Sequence, residues 1–359
     1  MPKRVGYLYE KMCDKELIKH CIYQSAKRKH HRFDVKKVLD NIDKYVDKTY
    51  DMLVNETYYP ATPRISSRYD HVSQKTRDIY IIPFWPDGVI QMLMVTVMQP
   101  TLEKGMYHWS CAAIPNRGGS RAEHYVKRAF YDKKGTKYIA KFDIRKFYPS
   151  VDHEKLMKSL DRKIKDKRFL LLVSKVVDSC PKGLAIGFYI CQWLANYFLE
   201  PLDRFMCGLP GVDYCVRYMD DVVLMGRNKK LLHKALIQIQ DFLKTLGLEM
   251  KGDWQVFPSK ARALDFVGIR FFRSYCIMRK RTFLRFIRQC RRALKRVKAG
   301  KRIAVKQAAA LLSRVGIVRR CNCHKARVKY YDPIGEHDLK EVIRIESKRR
   351  LRTDQRLYA

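Results

Sequence analysis

Two adjacent carboxylates, Asp220 and Asp221, stand between two runs rich in β-branched and aromatic residues, 212–217 before them and 222–225 after. Such runs around a short polar break read as a tight β-hairpin with the aspartates at its tip. Neighbouring like charges repel, and they are tolerated in water or facing a cation. A third carboxylate, Asp143, follows an alternating run over 138–144 whose Ala140, Phe142 and Ile144 share one face. Phe147, Tyr148 and Pro149 come directly after it, a grouping that core packing alone explains poorly. If the two strands are neighbours in one sheet, the three carboxylates converge. Oxygen donors of this kind suit Mg²⁺, whose charge cancels their repulsion. Two such ions, with Mn²⁺ as the alternative metal, would activate an attacking 3′-hydroxyl and stabilise a pyrophosphate leaving group, the clamp of polymerases and nucleases.

The elements that must position these groups are legible as periodicities. Residues 1–60 read as helical, with a basic knot at 27–32 that is either a solvated helix face or an RNA contact, and a Pro- and Ser-containing connector follows over 59–67. A strand is expected over 75–83, basic at its start and apolar at its end. Asn116, Arg117, Gly118 and Gly119 form a glycine turn opening a helix from about Ala122, a place where backbone N–H groups and arginines suit phosphate. After the strand ending at Asp143 comes a charged helical insert over 153–178. Gly187 precedes a helix with Cys191, Leu194, Ala195, Phe198, Leu199 and Leu202 on its apolar side. Beyond the hairpin, Leu232, Ala235, Leu236, Ile239, Phe242, Leu243 and Leu246 mark a second amphipathic helix that ends at Gly247. This order fits a split βαβ sheet of the ferredoxin type with helices on one face, an α+β arrangement.

Composition narrows the partners. The 359 residues carry a formal charge of +39, and such a surplus repels itself unless a polyanion neutralises it. Nucleic acid fits better than a membrane surface, because the basic residues are spread along the whole chain. From Arg281 onward there are 24 Lys and Arg against 6 Asp and Glu. There Phe283, Phe286, Ile287, Cys290, Leu294 and Val297 place an apolar stripe on a helix whose other face is basic, as a duplex-gripping lobe requires. Eleven cysteines at irregular spacing argue against a disulfide framework and for reduced cytosolic thiols, and Cys321, Cys323 and His324 lack the second pair that a zinc site needs. No signal peptide is read, and the longest apolar run, 89–98, is too short to span a bilayer. The expectation is a soluble cytoplasmic protein.

Taken together, the motifs resemble the reverse transcriptases over roughly residues 60–290, in the family's order. Asp143 to Tyr148 resembles the first catalytic motif and Tyr218-Met219-Asp220-Asp221 the second. Leu264 to Gly268 resembles the primer grip, and Asn116-Arg117-Gly118 a motif of the fingers. The resemblance implies a right-hand polymerase. Its parts would be a basic helical extension over 1–60, fingers over 61–140, and a ferredoxin-like palm over 141–275 with a finger-like insert at about 153–183. A basic helical thumb and tail would occupy 276–359. It implies that Asp143 and Asp220 bridge two metals, with Asp221 in support and the Ile144 carbonyl completing one shell. Tyr148 would be the steric gate against a ribose 2′-hydroxyl. Lys75, Arg77 and Arg117 would meet the incoming triphosphate, and Tyr218, Met219, Phe266, Val267 and Gly268 the primer and template. The implied partners are template RNA, the RNA/DNA duplex and deoxynucleoside triphosphates, and the implied setting is a bacterial or phage-infected cell.

One motif departs from the usual pattern. Where the family has Gln-Gly ending in Ser-Pro, this chain reads Ile186-Gly187 and ends Cys191-Gln192. An Ile-Gly form ending in Ser-Gln is typical of diversity-generating retroelement enzymes and of related phage and defence enzymes; here Cys191 replaces the serine. Loss of the amide donor at Ile186 should loosen the hold on the nucleotide and relax fidelity. The diversity-generating subgroup also implies a small basic accessory protein. The alternatives are a defence reverse transcriptase acting with its own non-coding RNA, and an inactive RNA-binding scaffold.

Overall fold

The computed structural model describes residues 4–70 and 75–356. The chain divides into two compact units, Met1–Tyr125 with Asp132–Phe257, and Val126–Tyr131 with Pro258–Ala359.

Four helices open the first unit, Leu8–Met12 (α1), Lys15–Ala26 (α2), Phe33–Leu39 (α3) and Ile42–Val54 (α4). Asp14 caps α2, its carboxylate accepting from the Leu17 N–H at 3.0 Å, as suits a short acidic side chain at a helix start. The basic knot at 27–32 does not lie on a helix face. It forms the exposed turn between α2 and α3, with Arg28 at φ 63°. Six consecutive cationic or imidazole side chains offer no apolar face to bury, so nothing extends the helix through them. Strands Arg64–Asp70 (β1) and Lys75–Ile81 (β2) then pair antiparallel, Arg64 opposite Ile81 and Arg68 opposite Arg77. The apolar run near residue 90 becomes Val89–Glu103 (α5), which buries Val89, Ile90, Leu93, Met94, Val95, Met98 and Leu102 in the unit's core. Among the described residues no helix is long and apolar enough to cross a membrane. Helix Gly119–Ala129 (α6) begins in the first unit.

Strand Tyr138–Asp143 (β3) leads into a one-turn helix, Phe147–Ser150 (α7). The expected insert follows as His153–Asp161 (α8) and Lys167–Asp178 (α9), each started by an aspartate cap, Asp152 and Asp166. Tyr189–Phe198 (α10) and Glu200–Cys207 (α11) lead to Tyr214–Tyr218 (β4) and Asp221–Gly226 (β5), and then to Lys229–Thr245 (α12) and Gln255–Pro258 (β6). The sheet order is β4-β5-β3-β6. Strand β3 thus lies between β5 and β6 and away from β4, as in a split βαβ unit, and the fold is the ferredoxin-type α+β arrangement that the periodicities implied. Ala140 and Phe142 of β3, with Ile144 just after it, join one core with Leu194 and Leu202 and with Leu232, Leu236, Ile239 and Leu243 of α12. The 3.6-residue repeat of α12 thereby becomes its buried face.

The second unit holds a three-stranded meander, Leu264–Phe266 (β7), Ile269–Phe271 (β8) and Cys276–Met278 (β9), in that spatial order. Its helices are Lys280–Lys298 (α13), Val305–Arg320 (α14), His324–Tyr330 (α15) and Glu336–Arg356 (α16). The break falls at residue 257, so residues 258–275, grouped with the palm on sequence grounds, cluster with the C-terminal helices. Phe286, Ile287, Cys290 and Ala293 form the buried stripe of α13. Val297, expected on that stripe, is exposed instead; it is the next-to-last residue of the helix. All eleven cysteines are free, and no group of three His, Cys, Asp or Glu side chains able to hold a metal occurs among the described residues.

Candidate active site

Strand register brings the first two carboxylates together. Asp143, the last residue of β3, lies directly opposite Asp221, the first of β5. Cross-strand partners point to the same face, with Cβ atoms about 5 Å apart. Asp220 sits beside them in the two-residue turn that joins Tyr218 to Asp221, and its carbonyl accepts from the Ile144 N–H at 3.1 Å. The three aspartates expected to meet therefore share one end of the sheet.

Lys141 also belongs to this face, and its sequence position alone did not reveal it. It precedes Asp143 by two residues, so it shares that side of β3, and it reaches diagonally to Asp221. Its Nζ donates to Oδ2 at 3.2 Å and lies 3.1 Å from Oδ1. The contact is an ion pair to both oxygens but a directed hydrogen bond to only one, and Oδ1 is buried without a donor aimed at it. Burial pushes the Asp221 carboxyl up to about 6; Asp143 and Asp220 add to the rise and Lys141 opposes it. A buried, under-bonded carboxylate oxygen beside two more carboxylates is the donor type that suits a divalent cation, although the three side chains are not gathered closely enough here to form a ligand group by themselves.

The turn is strained. Met219 has φ 59°, the left-handed region that costs a non-glycine residue on the order of 1 kcal/mol. Its carbonyl accepts from Arg217 Nη1 at 3.0 Å. Arg217 is wholly buried on β4 and forms a two-pronged ion pair with the buried Asp203 of α11, both contacts at 2.6 Å. Burial raises the Asp203 carboxyl, and Arg217 opposes it. Neither residue was singled out from the sequence. The available signal was an arginine at the end of the strand run 212–217, where a buried unpaired charge would not be tolerated.

Tyr148 lies on α7 near Asp220 and Cys191; burial first, and then these two groups, push its phenol above the usual range. Behind it the segment 183–187 is held from both sides. Leu184 donates to the Tyr148 carbonyl at 2.8 Å, and the Ile186 carbonyl accepts from the Tyr80 N–H at 2.7 Å. Gly187 has φ 123°, and a Cβ there would lie 2.3 Å from the Tyr80 carbonyl oxygen. Ile186 is half-buried, Cys191 buried and Gln192 exposed.

The expected triphosphate residues are placed unevenly. Arg77 is exposed on β2, and the side chain of Lys75 lies outside the described residues. Arg117 is committed elsewhere. Its Nη1 donates to the carbonyls of Tyr107 and Ser110, its Nη2 lies 3.9 Å from Glu103, and its side chain is 10% exposed. In the second unit, Phe266 is buried, while Val267 and Gly268 form a two-residue hairpin turn with φ of 45° and 83°. Positive φ at both central positions is the hairpin geometry that favours glycine.

The family model for reverse transcriptase (RNA-dependent DNA polymerase) matches residues 74–271, more than half of the chain and the whole of this site. The chain belongs to the reverse transcriptase family. Among curated relatives it is similar to the protein YkfC of Escherichia coli, at 25% identity over 239 residues, covering 54% of this chain and 62% of that one. It is also similar to the group II intron-encoded protein LtrA of Lactococcus lactis, at 26% identity, covering 46% of this chain and 28% of that one. This chain thus spans less than two thirds of either relative. Among solved structures, apo telomerase from Candida tropicalis matches at 14% identity with a TM-score of 0.46, covering 79% of this chain and 62% of that one.

Proposed function

We propose that this chain is an RNA-directed DNA polymerase that extends a DNA primer on an RNA template. The observation that carries this reading is the register of β3 and β5, which sets Asp143 against Asp221 beside the Asp220 turn. In this reading Asp143, Asp220 and the Ile144 carbonyl hold the divalent ions, with Asp221 in support. When bound, Mg²⁺ would lower the charge on the reacting phosphates and activate the primer hydroxyl. Tyr148 stands beside Asp220 as the gate against ribonucleotides, and Arg77 and Lys75 of β2 serve the triphosphate.

Ile186 supports the finer reading, an error-prone enzyme of the diversity-generating type. An apolar side chain at this position cannot donate a hydrogen bond to the nucleotide, and discrimination rests on such contacts. Primer extension on a defined RNA template with Mg²⁺ tests both levels. The wild type should make cDNA, and Asp220→Asn should reduce synthesis to background; equal synthesis by the two would sink the polymerase reading. Ile186→Gln should lower misincorporation, and an unchanged error rate would remove the error-prone reading while leaving polymerase activity intact.

A further inference from the structure

Arg217 uses all five of its N–H donors inside the protein. Nε and Nη2 grip the two oxygens of Asp203 at 2.6 Å each. Nη1 donates to Asn196 Oδ1 at 3.2 Å and to the Met219 carbonyl at 3.0 Å, and Nη2 reaches the Asn196 carbonyl at 3.5 Å. Asn196 passes the connection on. Its Nδ2 donates to the carbonyls of Ala112 at 2.8 Å and Gln192 at 3.2 Å, and its Oδ1 also accepts from Ser110 Oγ at 3.3 Å. The backbone of Arg217 is fixed as well, donating to Trp109 and accepting from Cys111. One side chain therefore ties α10, α11 and the loop at 109–112 to the carbonyl of the strained residue in the aspartate turn.

Stability alone does not account for this arrangement. A buried ion pair contributes little over apolar residues of similar volume, because desolvation offsets the attraction. What an arginine supplies here and an apolar residue cannot is a directed donor at the Met219 carbonyl, which favours the left-handed turn over its relaxed alternatives. Asp220 follows Met219 directly, so the turn sets where that carboxylate points.

We propose that Arg217, held by Asp203 and Asn196, is a positioning residue that locks the Met219–Asp220 turn and so fixes the site carboxylates. The proposal rests on the polymerase reading for its catalytic consequence, but its structural consequence stands without it.

The test replaces the pair by apolar residues in the double variant Arg217→Met/Asp203→Leu, measured in the full chain. Expected are a thermal midpoint near that of the wild type and faster amide exchange at residues 219–222. Turnover per folded molecule should fall on the order of 100-fold, the scale of a misplacement of about 1 Å, with the KM for nucleotide changed less than about threefold. Adding Met219→Gly, which adopts positive φ without strain, should restore at least part of the turnover and the exchange protection. Wild-type turnover with unchanged exchange would overturn the proposal, as would a loss that Met219→Gly leaves unaltered. If the double variant does not fold, Arg217→Lys carries the same readouts, since an ammonium can face Asp203 but has too few donors to serve Asn196 and Met219 as well. If the wild type itself does not extend primers, the polymerase reading fails. Exchange at 219–222 alone then decides the positioning role, unchanged protection refuting it.

Discussion

In the proposed polymerase, Tyr148 would connect the carboxylates to nucleotide choice. Its ring is half-buried near Asp220 and packs against the core, and its carbonyl accepts from the Leu184 N–H. A rigid ring excludes a 2′-hydroxyl by contact, and contact discrimination against one added hydroxyl is worth on the order of 100-fold. Tyr148→Ala should therefore raise the ratio of ribonucleotide to deoxynucleotide kcat/KM by about that factor in single-nucleotide extension. An unchanged ratio would place the gate elsewhere. The ring stood out in the sequence as one of two aromatics just after a strand-end aspartate, but its role as a gate came from the resemblance to the reverse transcriptases and not from that spacing. Lys141 and Arg217 were not, because a charged residue in a strand declares its role only when register supplies its partner. Asp221 lies 80 residues from Lys141, and Asp203 lies on a helix whose packing against β4 no local pattern announces.

At the scale of elements, the segment 183–187 is a strap between α7 and β2, and Gly187 makes it possible. Any side chain there meets the Tyr80 carbonyl at 2.3 Å in a backbone conformation that already disfavours L-residues. Gly187→Ala should destabilise the protein by more than about 1 kcal/mol, since strain and a backbone clash act together. Urea denaturation measures this, and a midpoint equal to that of the wild type would show that the strap can move aside. The sequence marked Gly187 as a helix start, but the reason for the glycine lies on β2, about a hundred residues earlier. Several elements with their own period were legible: α12 buries the side its spacing nominated, and β3, β4 and β5 stand close to where the alternating runs placed them. The helix expected to run from Cys191 to Leu202, by contrast, breaks at Leu199 into α10 and α11. The helix-face reading of the knot at 27–32 failed because charge patterning describes a surface and does not distinguish a helix face from a turn. Val297 was misread because periodicity continues past the point where a helix runs out of neighbours.

For the whole molecule, the charge of +39 calls for a polyanion, and α13 and α14 show one place that can receive it. A groove of ≈ 640 Å³ between them is lined by Arg292, Lys295, Arg296, Lys301 and Lys306 with Gln289, Ala299 and Gln307, and no carboxylate is among these residues. Arg296 is partly committed, its Nε donating to the Arg302 carbonyl at 2.9 Å. A phosphate backbone in this groove releases roughly one counterion for each phosphate neutralised, so the logarithm of affinity falls linearly with the logarithm of salt. Replacing Arg292, Lys295 and Lys306 together by alanine should weaken binding of an RNA/DNA duplex at low salt. It should also flatten the slope of that plot by about 0.9 for each phosphate that is no longer neutralised. Because the term is independent of sequence, the weakening should be equal for unrelated duplexes, which separates a backbone grip from base readout. A triple variant with unchanged slope would mean that the phosphates run along a different basic face, and the groove would then be a solvated edge of the helical lobe.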